Sequence, residues 1–209
     1  MIPITIVGCG PGSPEYLTAI AHDVVAKAEV LVGAEHLLQL FPNNACQQLV
    51  VQGKMATVLD QLEPLLNKQI CILVSGDSGL FSLAQLVIKR FGREHCKVIP
   101  GISSVQLAFA RLALSWSSAL IISAHGRTPQ QTTAELATYD RIALLAGDRD
   151  AIVWTADRLT ELGGDYLVVS CENLTLTDEA IRTFENGETL RQASFPSRTI
   201  LLLLKKELL

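Results

Sequence analysis

A strand passes into a glycine-rich loop at Ile70-Cys71-Ile72-Leu73-Val74-Ser75-Gly76-Asp77-Ser78-Gly79-Leu80-Phe81-Ser82. Five apolar residues indicate a buried strand, and the small residues and single Asp that follow indicate a loop. The amphipathic segment at residues 83–91 continues as a helix. An α/β protein builds a ligand site at the carboxyl end of a strand in this way. The stretch therefore predicts an α/β fold with a ligand loop at residues 75–82.

Two similar junctions flank this loop. Upstream, Gly8-Cys9-Gly10-Pro11-Gly12-Ser13 follows an apolar run, and downstream Pro100-Gly101-Ile102-Ser103-Ser104 precedes an apolar helical segment. Glycines allow the backbone to approach a ligand that side chains would block. Three such loops in one chain predict one shared pocket.

The first half of the chain alternates between strands and helices. Strands are predicted at 2–7, 30–32, 48–51, 70–74 and 97–99, and helices at 15–28, 34–40, 55–66, 80–91 and 103–112. Alternation at this spacing is typical of a mainly parallel sheet with helices on its faces.

The second half follows a different pattern. Strands are predicted at 119–123, 142–146, 167–171 and 199–204, helices at 130–137 and 151–162, and residues 173–197 are more polar and irregular. Periodicity lapses among small polar residues at Leu114-Ser115-Trp116-Ser117-Ser118, which indicates a linker. We therefore predict two α/β domains, at residues 1–113 and 119–209.

Composition excludes several classes of function. The 209 residues are 49% hydrophobic and carry a net charge of −4 without a basic block, so nucleic-acid binding is not expected. The longest apolar runs are too short to span a bilayer. The five cysteines are odd in number and form no CxxC pair, and the N-terminus does not read as a signal peptide. These features predict free thiols and a cytoplasmic protein without a membrane partner.

The first loop differs from the common phosphate-binding motifs. Ser13 stands where the dinucleotide fingerprint GxGxxG has its last glycine, Pro11 lacks an amide proton, and a P-loop lysine is missing. A flavodoxin-like nucleotide binder is disfavoured for the same reason. The alternative is a tight turn without ligand, since Gly–Pro pairs occur in many turns.

Asp77 is the only acidic residue of its loop, and its carboxylate could accept hydrogen bonds from a ribose hydroxyl or an ammonium group. The alternative is an N-cap of the next helix. Ser103 or Ser104 is expected to cap the helix after the third loop, whose N-terminus favours an anionic group. Three loops in equivalent positions favour the ligand role for Asp77.

The second half offers His125 and Arg127 after its first strand. Histidine transfers protons near neutral pH, and arginine can hold a carboxylate through two hydrogen bonds. The alternative is a solvated surface loop. Gly147-Asp148-Arg149 and Glu172-Asn173 also follow strands, and read alone each indicates a turn. The scattered histidines and cysteines predict no metal site.

With these residues assembled, the chain resembles the tetrapyrrole methylases, which are S-adenosylmethionine-dependent methyltransferases. The resemblance covers nearly the whole chain and lies in the three loops, in their order and in their spacing. It departs from the family at Ser78, where the family's Gly-Asp-Pro has proline. The resemblance implies two α/β domains without the Rossmann-like methyltransferase fold, a homodimer, and the cofactor in a cleft between the domains.

The family pattern assigns cofactor contacts residue by residue. It implies S-adenosylmethionine binding by Gly10, Pro11, Gly12, Gly76, Asp77, Leu80, Ser103 and Ser104, and by Ala146 and Asn173 of the second domain. On the substrate side, Arg127 is the candidate clamp for the acidic groups of a tetrapyrrole, and His125 is a candidate proton acceptor.

Segments of the second half, Ser123-Ala124-His125-Gly126-Arg127 and Cys171-Glu172-Asn173-Leu174, are similar to the branch that methylates C5 of a precorrin in cobalamin biosynthesis. Because the chain ends at Leu209, we expect a separate C15-methylating decarboxylase. The alternatives are methylation of another tetrapyrrole position or of a ribosomal RNA ribose, and a non-catalytic module that binds S-adenosylmethionine. The net charge of −4 speaks against the RNA substrate.

Overall fold

The computed structural model describes residues 3–53, 55–124 and 126–209. Contacts divide the chain into two compact units, the first up to Ser103 and the second from Ser104 onward. Each unit contains one five-stranded sheet. The two α/β domains predicted from the sequence are thus present. The predicted boundary at residues 113–118 lies after the helix that begins at Ser104, whereas the contacts group that helix with the second unit.

The first unit has a parallel sheet. Its strands are β1 (Ile4–Gly8), β2 (Val30–Gly33), β3 (Gln47–Val50), β4 (Ile70–Val74) and β5 (Cys96–Ile99), in the order β3-β2-β4-β1-β5. Every neighbouring pair runs parallel. Its helices are α1 (Ala19–Val25), α2 (Glu35–Leu38), α3 (Met55–Leu62) and α4 (Ala84–Phe91). The prediction of a parallel sheet is confirmed.

Alternate residues of these strands enter two different cores. One cluster of buried side chains contains Ile4, Ile6, Ile70 and Ile72. A second cluster contains Val7, Leu31, Cys71 and Leu73, which point to the other face of the sheet. Both faces of the sheet are therefore covered, which explains why β4 is apolar at every position. A continuous apolar strand is what the sequence predicted for residues 70–74.

The first helix is shorter than the predicted range of 15–28. Pro14–Tyr16 forms a 3-10 turn, and α1 begins only after Thr18, whose side chain accepts a hydrogen bond from the Ala21 backbone N–H. Thr18 is therefore the N-cap of α1. Residues 9–18, which include this 3-10 turn, therefore connect β1 to α1 as a long loop rather than as a tight turn.

The second unit has a mixed sheet. Its elements are α5 (Ser104–Arg111), β6 (Leu120–Ser123), α6 (Thr133–Leu136), β7 (Arg141–Ala146), α7 (Arg149–Leu162), β8 (Tyr166–Glu172), β9 (Ala180–Phe184), α8 (Gly187–Gln192) and β10 (Thr199–Lys205). The strand order is β6-β7-β10-β8-β9. Only β6 and β7 pair in parallel, while β10 runs antiparallel to both β7 and β8. Helix α5 contacts β10, which explains its place in the second unit.

Two elements lie in the segment that the sequence indicated to be irregular. Strand β9 pairs with β8 in an antiparallel ladder, and its residues are at most half-buried at this edge of the sheet. Helix α8 begins after Asn186, which accepts a hydrogen bond from the Thr189 backbone N–H. A weakly buried edge strand and a six-residue helix carry little hydrophobic periodicity, so the pattern did not predict them.

No helix in the described part of the chain is long and apolar enough to cross a membrane.

Candidate functional site

The three glycine-bearing loops lie at one edge of the first sheet. Strands β4, β1 and β5 are adjacent and parallel, so their carboxyl ends lie side by side. The loop at residues 75–82 follows β4, the loop at 8–13 follows β1, and the loop at 100–104 follows β5. The three loops therefore lie side by side, as the predicted shared pocket requires, and the pocket itself stays a prediction.

Backbone hydrogen bonds join the first two loops. The Gly10 N–H donates to the Gly76 carbonyl at 3.2 Å, and the Gly76 N–H donates to the Gly10 carbonyl at 2.8 Å. Both glycines have left-handed backbone angles, with φ of 72° and 64°. Glycine adopts this conformation without strain. The pair therefore extends the β1–β4 contact past the ends of the strands.

Glycines also allow the first and third loops to touch. A Cβ built on Gly101 would lie 2.4 Å from the Gly76 carbonyl oxygen and 2.6 Å from the Gly8 carbonyl carbon. A Cβ built on Gly8 would lie 2.6 Å from the Gly101 nitrogen. These atoms are main-chain atoms of neighbouring loops, so the contacts within the chain already require glycine at residues 8 and 101.

Asp77 ties the second loop to the third. One carboxylate oxygen, Oδ1, accepts a hydrogen bond from the Gly79 N–H at 2.8 Å, and Oδ2 accepts one from the Gly101 N–H at 3.1 Å. The side chain is not an N-cap of α4, because Leu83 occupies that position and the Ala84 N–H donates to the Ser82 hydroxyl at 3.1 Å. Each carboxylate oxygen has two acceptor sites, so Asp77, which is partly exposed, keeps acceptor capacity for a ligand.

Ser78 has a structural role that no local sequence pattern assigned to it. Its side chain is buried, and its hydroxyl donates to the Ile99 carbonyl at the end of β5 at 3.1 Å. Proline, which the family resemblance leads one to expect here, has no hydroxyl for this bond. The signal was present in the sequence as the departure at residue 78, although the partner lies 21 residues away.

The remaining predicted residues of the first unit lie in the same loops. Pro11, Gly12 and Leu80 are half-buried. Ser103 is buried directly before α5, and its Cα lies 3.9 Å from a Cβ built on Gly76. The exposed residue Phe81 was not predicted and has a left-handed φ of 48°. A bulky residue in this conformation is strained, and such strain is frequent in ligand-binding loops.

Two predicted cofactor residues of the second unit lie at one edge of its sheet. Ala146 is the buried last residue of β7, and Asn173 follows β8. Between them lies β10, in which Thr199 pairs with both Ala146 and Glu172. Asn173 has φ of 45°, and its backbone N–H donates to the Arg198 carbonyl at 2.9 Å. The second sheet therefore brings these two residues together.

The predicted substrate residues follow β6. Arg127 is exposed, and its Nε donates to the Ser123 carbonyl at 3.1 Å. This bond anchors the base of the guanidinium at the end of the strand. His125, the candidate proton acceptor, lies outside the described residues.

Two thiols close to the predicted site residues, Cys9 and Cys171, are buried. Burial raises the pKa of Cys9 to about 12 and that of Cys171 to about 12. A thiol with such a pKa is protonated at neutral pH, which makes it a poor nucleophile. Across residues 3–53, 55–124 and 126–209, no cluster of three His, Cys, Asp or Glu side chains could hold a metal ion.

Comparison with known proteins extends these findings. The family described as Tetrapyrrole (Corrin/Porphyrin) Methylases matches residues 3–189. A protein of Methanocaldococcus jannaschii named probable cobalt-precorrin-7 C(5)-methyltransferase is 30% identical over 191 residues, which cover 85% of this chain and 87% of that protein.

Two solved structures share the fold. A precorrin-6Y methylase of cobalamin biosynthesis from Archaeoglobus fulgidus has a TM-score of 0.73 and 25% identity over 99% of this chain and 98% of that one. A uroporphyrin-III C-methyltransferase from Thermus thermophilus, complexed with S-adenosylhomocysteine, has a TM-score of 0.78 and 20% identity, covering 97% of both chains. The fold is thus that of the tetrapyrrole methylase structures and not a Rossmann-type arrangement. The family model matches residues 3–189, and the three glycine-bearing loops lie together at the carboxyl ends of β4, β1 and β5. The chain therefore belongs to the tetrapyrrole methylase family.

Proposed function

We propose that this chain is an S-adenosylmethionine-dependent methyltransferase that methylates C5 of a precorrin in cobalamin biosynthesis. The observation that carries the proposal is the joining of three glycine-bearing loops at one sheet edge, in a member of this family. The choice of C5 is supported by the Methanocaldococcus jannaschii relative, whose name specifies that position.

The loops of the first unit have the chemistry that the cofactor requires. Asp77 offers carboxylate acceptor sites for a ribose hydroxyl or an ammonium group, and Leu80, half-buried three residues later, offers apolar contact for the adenosyl group. The backbone of Gly10, with Pro11, Gly12 and Ser103, lies in the loops at the same edge, and Ser104 follows as the first residue of α5. We infer further cofactor contacts from Ala146 and Asn173 of the second unit.

For methyl transfer, the protein mainly has to position the substrate against the cofactor. When bound, S-adenosylmethionine supplies a methyl group already activated on a sulfonium. The residues of the chain therefore need to align the two reactants and exclude water, and a covalent enzyme intermediate is unnecessary.

Arg127 is our candidate for binding the acidic side chains of the tetrapyrrole. Its guanidinium can pair with a carboxylate through two parallel hydrogen bonds. Arg127→Ala should weaken binding of a corrinoid substrate and leave the affinity for S-adenosylhomocysteine unchanged. Equal loss of both affinities would count against this assignment. His125 remains a proposed proton acceptor.

The first test of the proposed function is isothermal titration calorimetry with S-adenosylhomocysteine. We expect micromolar binding to the wild type and at least a tenfold loss in Asp77→Ala, since about 1.4 kcal/mol, the scale of one hydrogen bond to a charged group, is tenfold in affinity. Asp77 also ties two loops together, so Ser78→Ala is the matched control, because it removes one loop contact and keeps the carboxylate. No binding to the wild type would overturn the proposal.

Turnover distinguishes the enzyme from a module that binds the cofactor without catalysis. Given a corrinoid and S-adenosylmethionine, the enzyme releases S-adenosylhomocysteine, whereas a sensor or scaffold does not. Comparing corrinoids with an open C5 against those open at another position tests the site of methylation. A homodimer and a separate C15-methylating decarboxylase remain further predictions from the resemblance, and a cytoplasmic location remains a prediction from the composition.

A further inference from the structure

A cavity of about 380 Å³ opens in the second unit beside Ala146. One wall is the end of β7 and the first turn of α7, including Ile152. The opposite wall is the segment from Gln192 to Pro196, which presents Phe195. Most of the lining surface is apolar, although half of the lining side chains are polar or charged, and such a mixture suits a site that binds an organic molecule.

The segment at residues 193–198 contains no helix or strand, yet hydrogen bonds hold its backbone from several sides. Arg149 donates to the Ala193 carbonyl at 3.3 Å, and Thr199 Oγ1 donates to the Pro196 carbonyl at 2.7 Å. Arg182 donates through Nη2 to the Ser194 carbonyl at 2.8 Å. The segment from Gln192 to Pro196 is therefore held in place by side chains of α7, β9 and β10.

Arg182 is itself fixed by a buried acid and two aromatic rings. Its Nε donates to Glu172 Oε1 at 2.8 Å, and Glu172, only 6% exposed, also accepts the Ser170 hydroxyl at 2.6 Å. The guanidinium carbon lies 4.7 Å from the centre of the Phe195 ring and 5.4 Å from that of Phe184. A buried carboxylate requires such a partner, and only the planar fork of arginine can pair and stack at once.

We propose that Arg182 is a positioning residue for cofactor binding: paired with Glu172, it holds the Phe195 wall beside Ala146 and fixes the chain next to Asn173. This inference rests on the proposed function. Glu172 immediately precedes Asn173, and the Asn173 N–H is bonded to the carbonyl of Arg198 in the segment that Arg182 also contacts. Both predicted cofactor residues of this unit are therefore next to groups that Arg182 restrains.

The loss of Arg182 should weaken cofactor binding by raising its entropic cost. If the segment with Phe195 is ordered before binding, the ligand loses no affinity to ordering it. Without Arg182, the Phe195 side chain and backbone lose conformational entropy when the ligand binds. Ordering one side chain costs enough to raise the dissociation constant by up to about tenfold.

The test compares Arg182→Lys and Arg182→Met with Arg158→Met. Arg158 is the matched control because it also pairs with a glutamate, Glu161 at 2.7 Å, and lies 5.9 Å from the Trp154 ring, away from the cavity lining. Each protein is titrated with S-adenosylhomocysteine, melted, and analysed by hydrogen–deuterium exchange of residues 192–198 without ligand.

Lysine can keep Glu172 paired but cannot also stack on Phe195 and reach Ser194. We therefore expect Arg182→Lys to melt near the wild-type temperature, to exchange faster at residues 192–198 and to bind about tenfold more weakly. A merely structural role would change the melting temperature and leave this affinity unchanged. Arg158→Met should keep the wild-type affinity and exchange in that segment.

Wild-type affinity in Arg182→Lys, or equal losses in Arg182→Met and Arg158→Met, would overturn the inference while leaving the proposed function in place. A wild-type protein that does not bind S-adenosylhomocysteine would overturn the proposed function, and this inference with it.

Discussion

Gly101→Ala tests the packing of the three loops most directly. Gly101 is the point at which the loop after β5 passes over the loops after β1 and β4. The added Cβ would lie 2.4 Å from the Gly76 carbonyl oxygen and within 2.7 Å of two carbonyl atoms of Gly8. All of these are backbone atoms, so no side-chain rotation can relieve the clash. The loops themselves must separate.

The size of the effect follows from these distances. Comfortable non-bonded contacts lie near 3.5 Å, so the loops must move apart by about 1 Å. Overpacking of this kind costs about 1–3 kcal/mol, which lowers the melting temperature of a chain of this length by about 2–12 °C. The same movement stretches the 3.1 Å hydrogen bond from Gly101 to Asp77. A misplacement of about 1 Å in a binding site can lower the catalytic rate by about 100-fold.

The assay combines thermal unfolding with titration of S-adenosylhomocysteine. We expect Gly101→Ala to melt at a lower temperature and to bind S-adenosylhomocysteine at least tenfold more weakly, which corresponds to a loss of about 1.4 kcal/mol of binding free energy. Gly164→Ala is the control, because its added Cβ meets no atom within 4 Å. Wild-type melting and affinity in Gly101→Ala would refute the packing argument. Reduced stability with wild-type affinity would show that the joined loops are not the cofactor site.

Other consequences can be measured separately. Ser78→Ala removes the bond to the end of β5 and should lower the free energy of unfolding by about 1 kcal/mol in a urea titration; an unchanged midpoint would contradict this. Burial raises the pKa of Cys9 to about 12, so iodoacetamide at pH 8 should modify the half-buried Cys46 and Cys96 before Cys9, as followed by peptide mapping; equal rates would be evidence against this burial. Hydrogen bonding from Arg111 lowers the pKa of Glu179, so this pair stabilises the fold above the ordinary carboxyl pKa and loses its effect as pH falls through the lowered value. Glu179→Gln should therefore cost about 1 kcal/mol at pH 7, and the difference from wild type should shrink below about pH 4; a difference independent of pH would exclude this origin.

Elements with strong local patterns could be predicted closely. Strand β4 occupies residues 70–74 in both the prediction and the structure, since a run of apolar residues bounded by small ones has few alternatives. Helix α1 is shorter than its predicted range of 15–28, because the 3-10 turn that begins at Pro14 and the N-cap at Thr18 delay the start of the helix. Strand β9 was missed because it lies at the sheet edge and depends on pairing with β8.

Some functional residues could be predicted from the sequence, and others required the structure. The resemblance assigned Asp77 to the cofactor, and the structure adds its hydrogen bonds to Gly79 and Gly101. Ser78 could be noticed as a departure from the family pattern, but its bond to Ile99 could not. Arg182 carried no sequence signal, because its partners Glu172 and Phe195 lie 10 and 13 residues away in opposite directions along the chain.

Local sequence was enough to establish an α/β chain, three glycine-bearing strand-end loops and the family that these loops resemble. Glycine content, apolar runs and loop spacing are properties of short segments, so they can be recognised without knowledge of the fold. The tertiary structure was needed for the order β4-β1-β5, which brings the ends of three distant segments together. It was also needed to explain glycine at residue 101, because the atoms that exclude a side chain there belong to loops 25 and more residues away. Steric exclusion and hydrogen bonding between distant segments depend on their positions in space, which no local pattern contains.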